Sequence, residues 1–166
     1  MMLDWLGETE MGRRIEEAKQ RLEDHRSFFE PAAADSSMSF LSRGFAEYQR
    51  LLESMRAFDF EDLIARLVMW LEQDAAFAGT VRSRWSHVCV DEFQDVNHGQ
   101  YRLVRLLCPD GAGLSVIGDP DQAIYGFRGS DSAYFRRFAR DYPNTTVVRL
   151  TRNYRSAEAI LDASWQ

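Results

Sequence analysis

Three short runs rich in β-branched or aliphatic residues, each followed closely by charged groups, constrain this chain more than any other feature. Val88-Cys89-Val90 leads into Asp91-Glu92, and Leu114-Ser115-Val116-Ile117 leads into Gly118-Asp119-Pro120-Asp121. Thr145-Thr146-Val147-Val148 is followed by Arg152 and Arg155. Near-continuous apolar strands of this length suit a parallel sheet covered on both faces. Helix-like segments separate them, over residues 100–107 and 132–140. Strand–helix–strand alternation predicts an α/β fold with right-handed crossovers.

The first half has a helical period instead. Ile15, Ala18 and Leu22 repeat at helix spacing, and Leu41, Phe45, Tyr48, Leu52 and Met55 form a second amphipathic stripe. The Ala- and Ser-rich residues 31–39 between them read as a loop. A third helix is expected to start at Asp59 as N-cap, with Phe60, Leu63, Ile64, Leu67, Val68 and Leu71 on one face. A last helix is expected from Ser156 onward, through Ile160 and Leu161.

With 45% hydrophobic residues, the 166-residue chain can bury a core of its own. Met1 to Arg14 contains no apolar stretch of signal-peptide length, and nothing approaches a membrane span. Cys89 and Cys108 form no C-x-x-C pair or disulfide framework, which points to a reducing cytoplasm. His25, His87 and His98 lack metal-ligand spacing. The net charge of −6 argues against a nucleic-acid partner, but its distribution does not. Residues 1–80 carry sixteen acids and nine bases, whereas residues 81–166 are nearly balanced, with six arginines between Arg136 and Arg155. The only lysine is Lys19, so the basic groups are almost all guanidinium forks suited to bidentate phosphate contacts.

In an open parallel sheet, ligands bind outside the carboxyl ends of the strands. Asp91, Glu92, Asp119 and Asp121 would meet Arg152 and Arg155 at that edge if the three strands are neighbours. Carboxylates facing arginines suit a Mg²⁺-bound polyphosphate. Taken singly, Asp91-Glu92 and Asp119-Pro120-Asp121 read as ordinary turns and Arg155 as a surface charge. Their order and wording together say otherwise.

Val90-Asp91-Glu92-Phe93-Gln94-Asp95 resembles the DExx box of superfamily 1A DNA helicases, the UvrD/Rep/PcrA group. Gly118-Asp119-Pro120-Asp121-Gln122-Ala123-Ile124-Tyr125-Gly126-Phe127-Arg128-Gly129 resembles motif III of that family, and Asn153-Tyr154-Arg155 the core of its motif IV. The helix around Phe58-Asp59-Phe60-Glu61-Asp62-Leu63 is similar to the one upstream of the DExx box. The clear match covers roughly residues 45–165, and the first ~40 residues match only loosely.

The resemblance implies a partial P-loop NTPase (RecA-like) parallel sheet with an N-terminal helical subdomain. Residues 1–57 would be the inserted helical segment, and residues 58–166 part of the ATPase motor domain. Asp91 would hold Mg²⁺ through water, Glu92 would orient and deprotonate the attacking water, and Gln122 would sense the γ-phosphate. Arg155 would be an arginine finger, and Tyr154 would stack on adenine. Tyr125, Phe127 and Arg128 would contact single-stranded DNA, where stacking is worth about 1–3 kcal/mol per base. ATP and Mg²⁺ are thus the implied cofactors, and single-stranded DNA and duplex junctions the implied partners. Phe127 stands where many relatives carry Trp, Ala123 where Ser is frequent and Val96 where Thr is frequent.

One departure is larger. No Gly-Lys-Ser/Thr phosphate loop occurs in the chain. The expectation is therefore an internal piece of a 3′-to-5′ DNA helicase, inactive toward ATP alone and prone to self-association through open sheet edges. The alternatives are a non-catalytic DNA- or protein-binding module and, more weakly, a metal-dependent nuclease using Asp91, Glu92, Asp119 and Asp121.

Overall fold

A computed structural model describes residues 10–23, 36–122, 133–157, 160 and 162–163. Helices α1 (Glu10–Gln20), α2 (Ser36–Ser54), α3 (Phe60–Gln73) and α4 (Ala75–Arg82) precede strand β1 (Val88–Val90). A 3₁₀ turn, Phe93–Asp95, leads to α5 (His98–Leu107), then β2 (Leu114–Val116), a second 3₁₀ turn at Pro120–Gln122, and α6 (Ala133–Asp141). The chain is thus α/β, with helix α5 crossing over between two parallel strands.

Local chemistry explains three of the six described α-helix starts. The Asp59 carboxylate accepts the Asp62 backbone N–H at 2.8 Å and caps α3, as its position predicts. Asn97 and Gln100 form a reciprocal capping box at the start of α5. Asp74 caps α4 by accepting from Phe77 N–H, a helix that the sequence pattern did not announce. The predicted loop over residues 31–39 is too long at its C-terminal end, because residues 36–39 already belong to α2; residues 31–35 lie outside the described residues.

The helical layer is built by α1, α3 and α5, which pack on one another, with α4 against α3 and α5. Ile15 and Ala18 bury the inner face of α1 against Phe45 of α2. Gly99 lets α5 approach closely, since a Cβ there would lie 3.3 Å from both the Gln20 carbonyl oxygen and the Leu22 side chain. Val68 and Leu71 of α3 are buried as expected, but Phe60 is 86% and Leu63 57% exposed. The predicted apolar face of α3 is therefore wider than the surface its neighbours cover.

Lys19 is also inside this layer. Its ammonium lies 2.5 Å from Asp59 Oδ2 and 3.1 Å from Asp62 Oδ1. The Tyr48 ring faces it at 5.0 Å, and the Tyr48 hydroxyl donates to the same Asp59 oxygen at 2.9 Å. Burial and the facing carboxylates push the Tyr48 phenol well above its ordinary range.

The sheet differs from expectation in two ways. Val88, Cys89 and Val90 pair with Leu114, Ser115 and Val116 in parallel register, but residues 145–150 form no strand. Val147 and Val148 are exposed, because β-branched propensity produces a ladder only where a partner strand supplies the hydrogen bonds. The two strands are also not covered on both faces. Val88, Val90, Leu114 and Val116 are half-buried, whereas Cys89 and Ser115 are exposed.

The covered face rests on a second core of Phe93, Val96, Tyr101, Phe138 and Tyr142. Phe93 is 1% exposed and meets Phe135 and Phe138 edge-on, with ring centroids 5.2 and 5.4 Å away. Phe93→Ala is expected to cost about 3–5 kcal/mol, read as a shifted urea midpoint. A loss below about 1 kcal/mol would contradict this packing.

Candidate nucleotide site at the strand ends

The parallel ladder continues past both strands and brings their carboxyl ends together. Ile117 N–H donates to Val90 O at 2.8 Å, and Phe93 N–H donates to Ile117 O at 2.9 Å. Between these bonds the chain carries Asp91 and Glu92, both exposed. Glu92 has left-handed backbone angles, φ 50° and ψ 44°. For a non-glycine residue this costs on the order of 1 kcal/mol or more and persists only where the surroundings impose it. Here the Glu92 N–H donates to Asp91 Oδ1 at 2.9 Å, while Glu92 O accepts from Asp95 N–H.

Asp119 organises the end of β2. Its carboxylate accepts the Asp121 N–H at 3.0 Å and the Gln122 side-chain amide at 2.8 Å. Its own N–H donates to Gln94 Oε1 at 3.0 Å. Gln94, buried at 2% exposure, in turn donates from Nε2 to Glu92 Oε2 at 2.5 Å. One amide thus joins the two strand ends. Sequence reasoning singled out Glu92 and Gln122 and passed over Gln94. The available signal was a polar residue immediately after a Phe that must be buried.

Of the predicted site residues, Asp91, Glu92 and Gln122 come to this edge. Asp91 Oδ2 has no hydrogen-bond partner among the described residues, which fits a water-mediated contact to Mg²⁺. The described residues contain no group of three or more acids, histidines or cysteines placed to hold a metal directly. Asp91, Glu92, Asp119 and Asp121 therefore do not form the cluster that the nuclease reading required. Asp95 Oδ1 is buried without a partner among the described residues, another polar atom that sequence reasoning missed.

The arginine side of the site is not assembled in the same way. Asn153 Oδ1 accepts from the backbone N–H groups of Arg155 and Ser156 at 2.8 and 2.9 Å, so the Asn-Tyr-Arg run is a turn held by its own asparagine. Tyr154 is exposed, with the Arg152 guanidinium 5.1 Å from its ring centre. Among the described residues, no ion pair joins Arg152 or Arg155 to the strand-end carboxylates. Among the described residues the predicted facing of arginines and acids is therefore not formed, and residues 145–150 pair with neither β1 nor β2. Tyr125, Phe127 and Arg128 lie outside the described residues.

The family model described as "UvrD/REP helicase N-terminal domain" matches residues 7–143. The chain belongs to the UvrD/REP helicase family. The match to this family's N-terminal domain begins near the start of α1, so the first helices, which resembled the family only loosely by motif, lie within it. Among curated relatives, the "ATP-dependent DNA helicase UvrD1" of Mycobacterium leprae is 46% identical over 130 residues, covering 72% of this chain and 17% of the relative. The protein of the same name from Mycobacterium tuberculosis is 46% identical over 126 residues, 71% of this chain and 16% of its own length. The "ATP-dependent DNA helicase PcrA" of Staphylococcus aureus is 37% identical over 132 residues, 80% of this chain and 18% of its own length. The chain thus spans less than a fifth of each of these UvrD/REP relatives. No helix among the described residues is long and apolar enough to cross a membrane.

Proposed function

We propose that this chain is a segment of an ATP-dependent 3′-to-5′ DNA helicase, in which residues 58–166 form part of a RecA-like, P-loop NTPase motor domain and residues 1–57 its helical insertion. The observation that carries this reading is the parallel β1–β2 pair, which places Asp91 and Glu92 beside the Asp119–Gln122 turn. In this reading Glu92 takes a proton from water as its oxygen bonds to the γ-phosphorus and the β–γ bridging oxygen leaves with ADP. Asp91 would hold Mg²⁺ through water, and the chemistry such an ion would supply is charge neutralisation at the phosphate. Gln122, steadied by Asp119, reports the γ-phosphate. Arg155 and Tyr154 serve as finger and adenine platform once their segment is docked. Tyr125, Phe127 and Arg128 contact single-stranded DNA, including strands at duplex junctions, in the cytoplasm.

A second reading, a non-catalytic binding module, is favoured by one observation about the 166 residues alone. Their single lysine is committed to Asp59 and Asp62 rather than to a phosphate. The exposed apolar residues Val147, Val148 and Leu150 lead the isolated chain to self-associate, which a monodisperse monomer in light scattering would contradict.

The deciding experiment replaces the matching segment of a UvrD1 relative with residues 7–143 of this chain. DNA-stimulated ATP hydrolysis by a folded chimera supports the helicase reading. A folded chimera that binds single-stranded DNA but turns over no ATP supports the module instead.

A further inference from the structure

The Gln94 side chain hydrogen-bonds to both strand ends, and its placement is over-determined. Its amide is buried, Nε2 donates to Glu92 Oε2 at 2.5 Å, and Oε1 accepts from Asp119 N–H at 3.0 Å. Only one amide orientation satisfies both contacts, because the flipped form would set oxygen against carboxylate and N–H against N–H. Gly118 leaves room for it, since a Cβ there would fall 2.6 Å from Gln94 Oε1. The preceding residue, Phe93, is pinned both by its N–H to Ile117 O and by its buried ring. Glu92 contrasts with all this: it is exposed, and its carboxylate has no other hydrogen bond among the described residues.

We propose that Gln94 is a positioning residue that holds the Glu92 carboxylate in register with the Gly118–Gln122 segment, so that the water-activating group and the γ-phosphate reporter are carried as one unit. The inference rests on the proposed role of Glu92. A free glutamate on an exposed left-handed residue would sample several rotamers, and holding it in one removes that entropy from the reaction. A residue that merely filled this space would be as well served by Leu or Met. The use of both ends of the amide is what marks a link between the two turns. Residue 94 also transmits in both directions: a shift of the Asp119 turn on phosphate contact would pull on Oε1 and so move the carboxylate at the other end.

Two substitutions separate the two ends. Gln94→Leu removes both bonds, whereas Gln94→Glu retains an acceptor for Asp119 N–H and removes the donor to Glu92. In the 166-residue chain, Asp119 amide exchange should accelerate about fivefold in Gln94→Leu, as expected for a lost bond of ~1 kcal/mol, and much less in Gln94→Glu. Gln94→Met replaces Gln94→Leu if the latter does not fold. The Gln94 side-chain N–H resonances should shift in Glu92→Ala, which removes the acceptor of Nε2. Unchanged Asp119 exchange, or Gln94 resonances blind to Glu92, would overturn the link.

Its role in turnover is read in the chimera. Gln94→Glu should lower kcat about tenfold or more, with KM for ATP within about twofold, the pattern of a group acting on the reacting geometry rather than on binding. If Glu92→Gln abolishes turnover while Gln94→Glu leaves kcat unchanged, the positioning role falls and the helicase reading stands. If Glu92→Gln leaves turnover intact, the proposed role of Glu92 falls, and the positioning role falls with it. The exchange and resonance results do not depend on nucleotide and are unaffected by that failure.

Discussion

Lys19→Met destabilises the chain by about 3–5 kcal/mol, as removal of one partner from a buried ion pair does elsewhere. Lys19 and Asp62 side chains are each 4% exposed, and Asp59 is 18% exposed. Without the ammonium, Asp59 keeps the Tyr48 hydroxyl and its capping bond, and water reaches it in part. Asp62 is worse placed. Its remaining neighbours are Gln49 Nε2 at 3.4 Å and the Arg66 guanidinium at 3.9 Å, and its Oδ2 already lacks a partner among the described residues. The double substitution Lys19→Met with Asp62→Leu should recover most of the loss, because replacing a whole buried pair by apolar groups is often neutral. Urea denaturation of the single and double variants checks both statements. A single-variant loss below about 1 kcal/mol would mean that this ion pair is solvated.

The second large effect is on chemistry. Glu92→Gln in an ATP-hydrolysing chimera should reduce kcat by about 10²–10⁴-fold, the range expected when a positioned general base is removed. The substitution keeps the side chain's length and leaves an oxygen able to accept from Gln94 Nε2. Folding should therefore change little, and the melting temperature serves as the control. Asp91→Asn should act differently, raising the Mg²⁺ concentration needed for turnover. A chimera whose Glu92→Gln variant hydrolyses ATP at the unsubstituted rate would remove Glu92 from the mechanism.

The parts legible in sequence are those governed by nearby residues. The cap at Asp59 bonds a backbone N–H three residues away, so its meaning is local. The β1–α5–β2 alternation was legible because apolar period and turn residues change together along the chain. The identity of Asp91, Glu92 and Gln122 as candidates came from motif wording rather than from period. What was not legible depends on distant partners. Lys19 meets Asp59 across 40 residues, and Gln94 meets Asp119 across 25. Residues 145–148 had a strand's composition but form no strand, and Arg155 was not brought to the acids it was expected to face.

The sequence by itself determined the α/β class, the start of α3 at Asp59 and the family motifs, because hydrogen bonds spanning three or four residues and apolar periodicity specify those without reference to the rest of the molecule. Only the tertiary structure decided which two acids hold the sole lysine, which face of α3 stays exposed, and that a buried glutamine ties Glu92 to the Asp119 turn. Each of these depends on two segments far apart in the chain closing on one another, and neither segment records locally which partner it will meet.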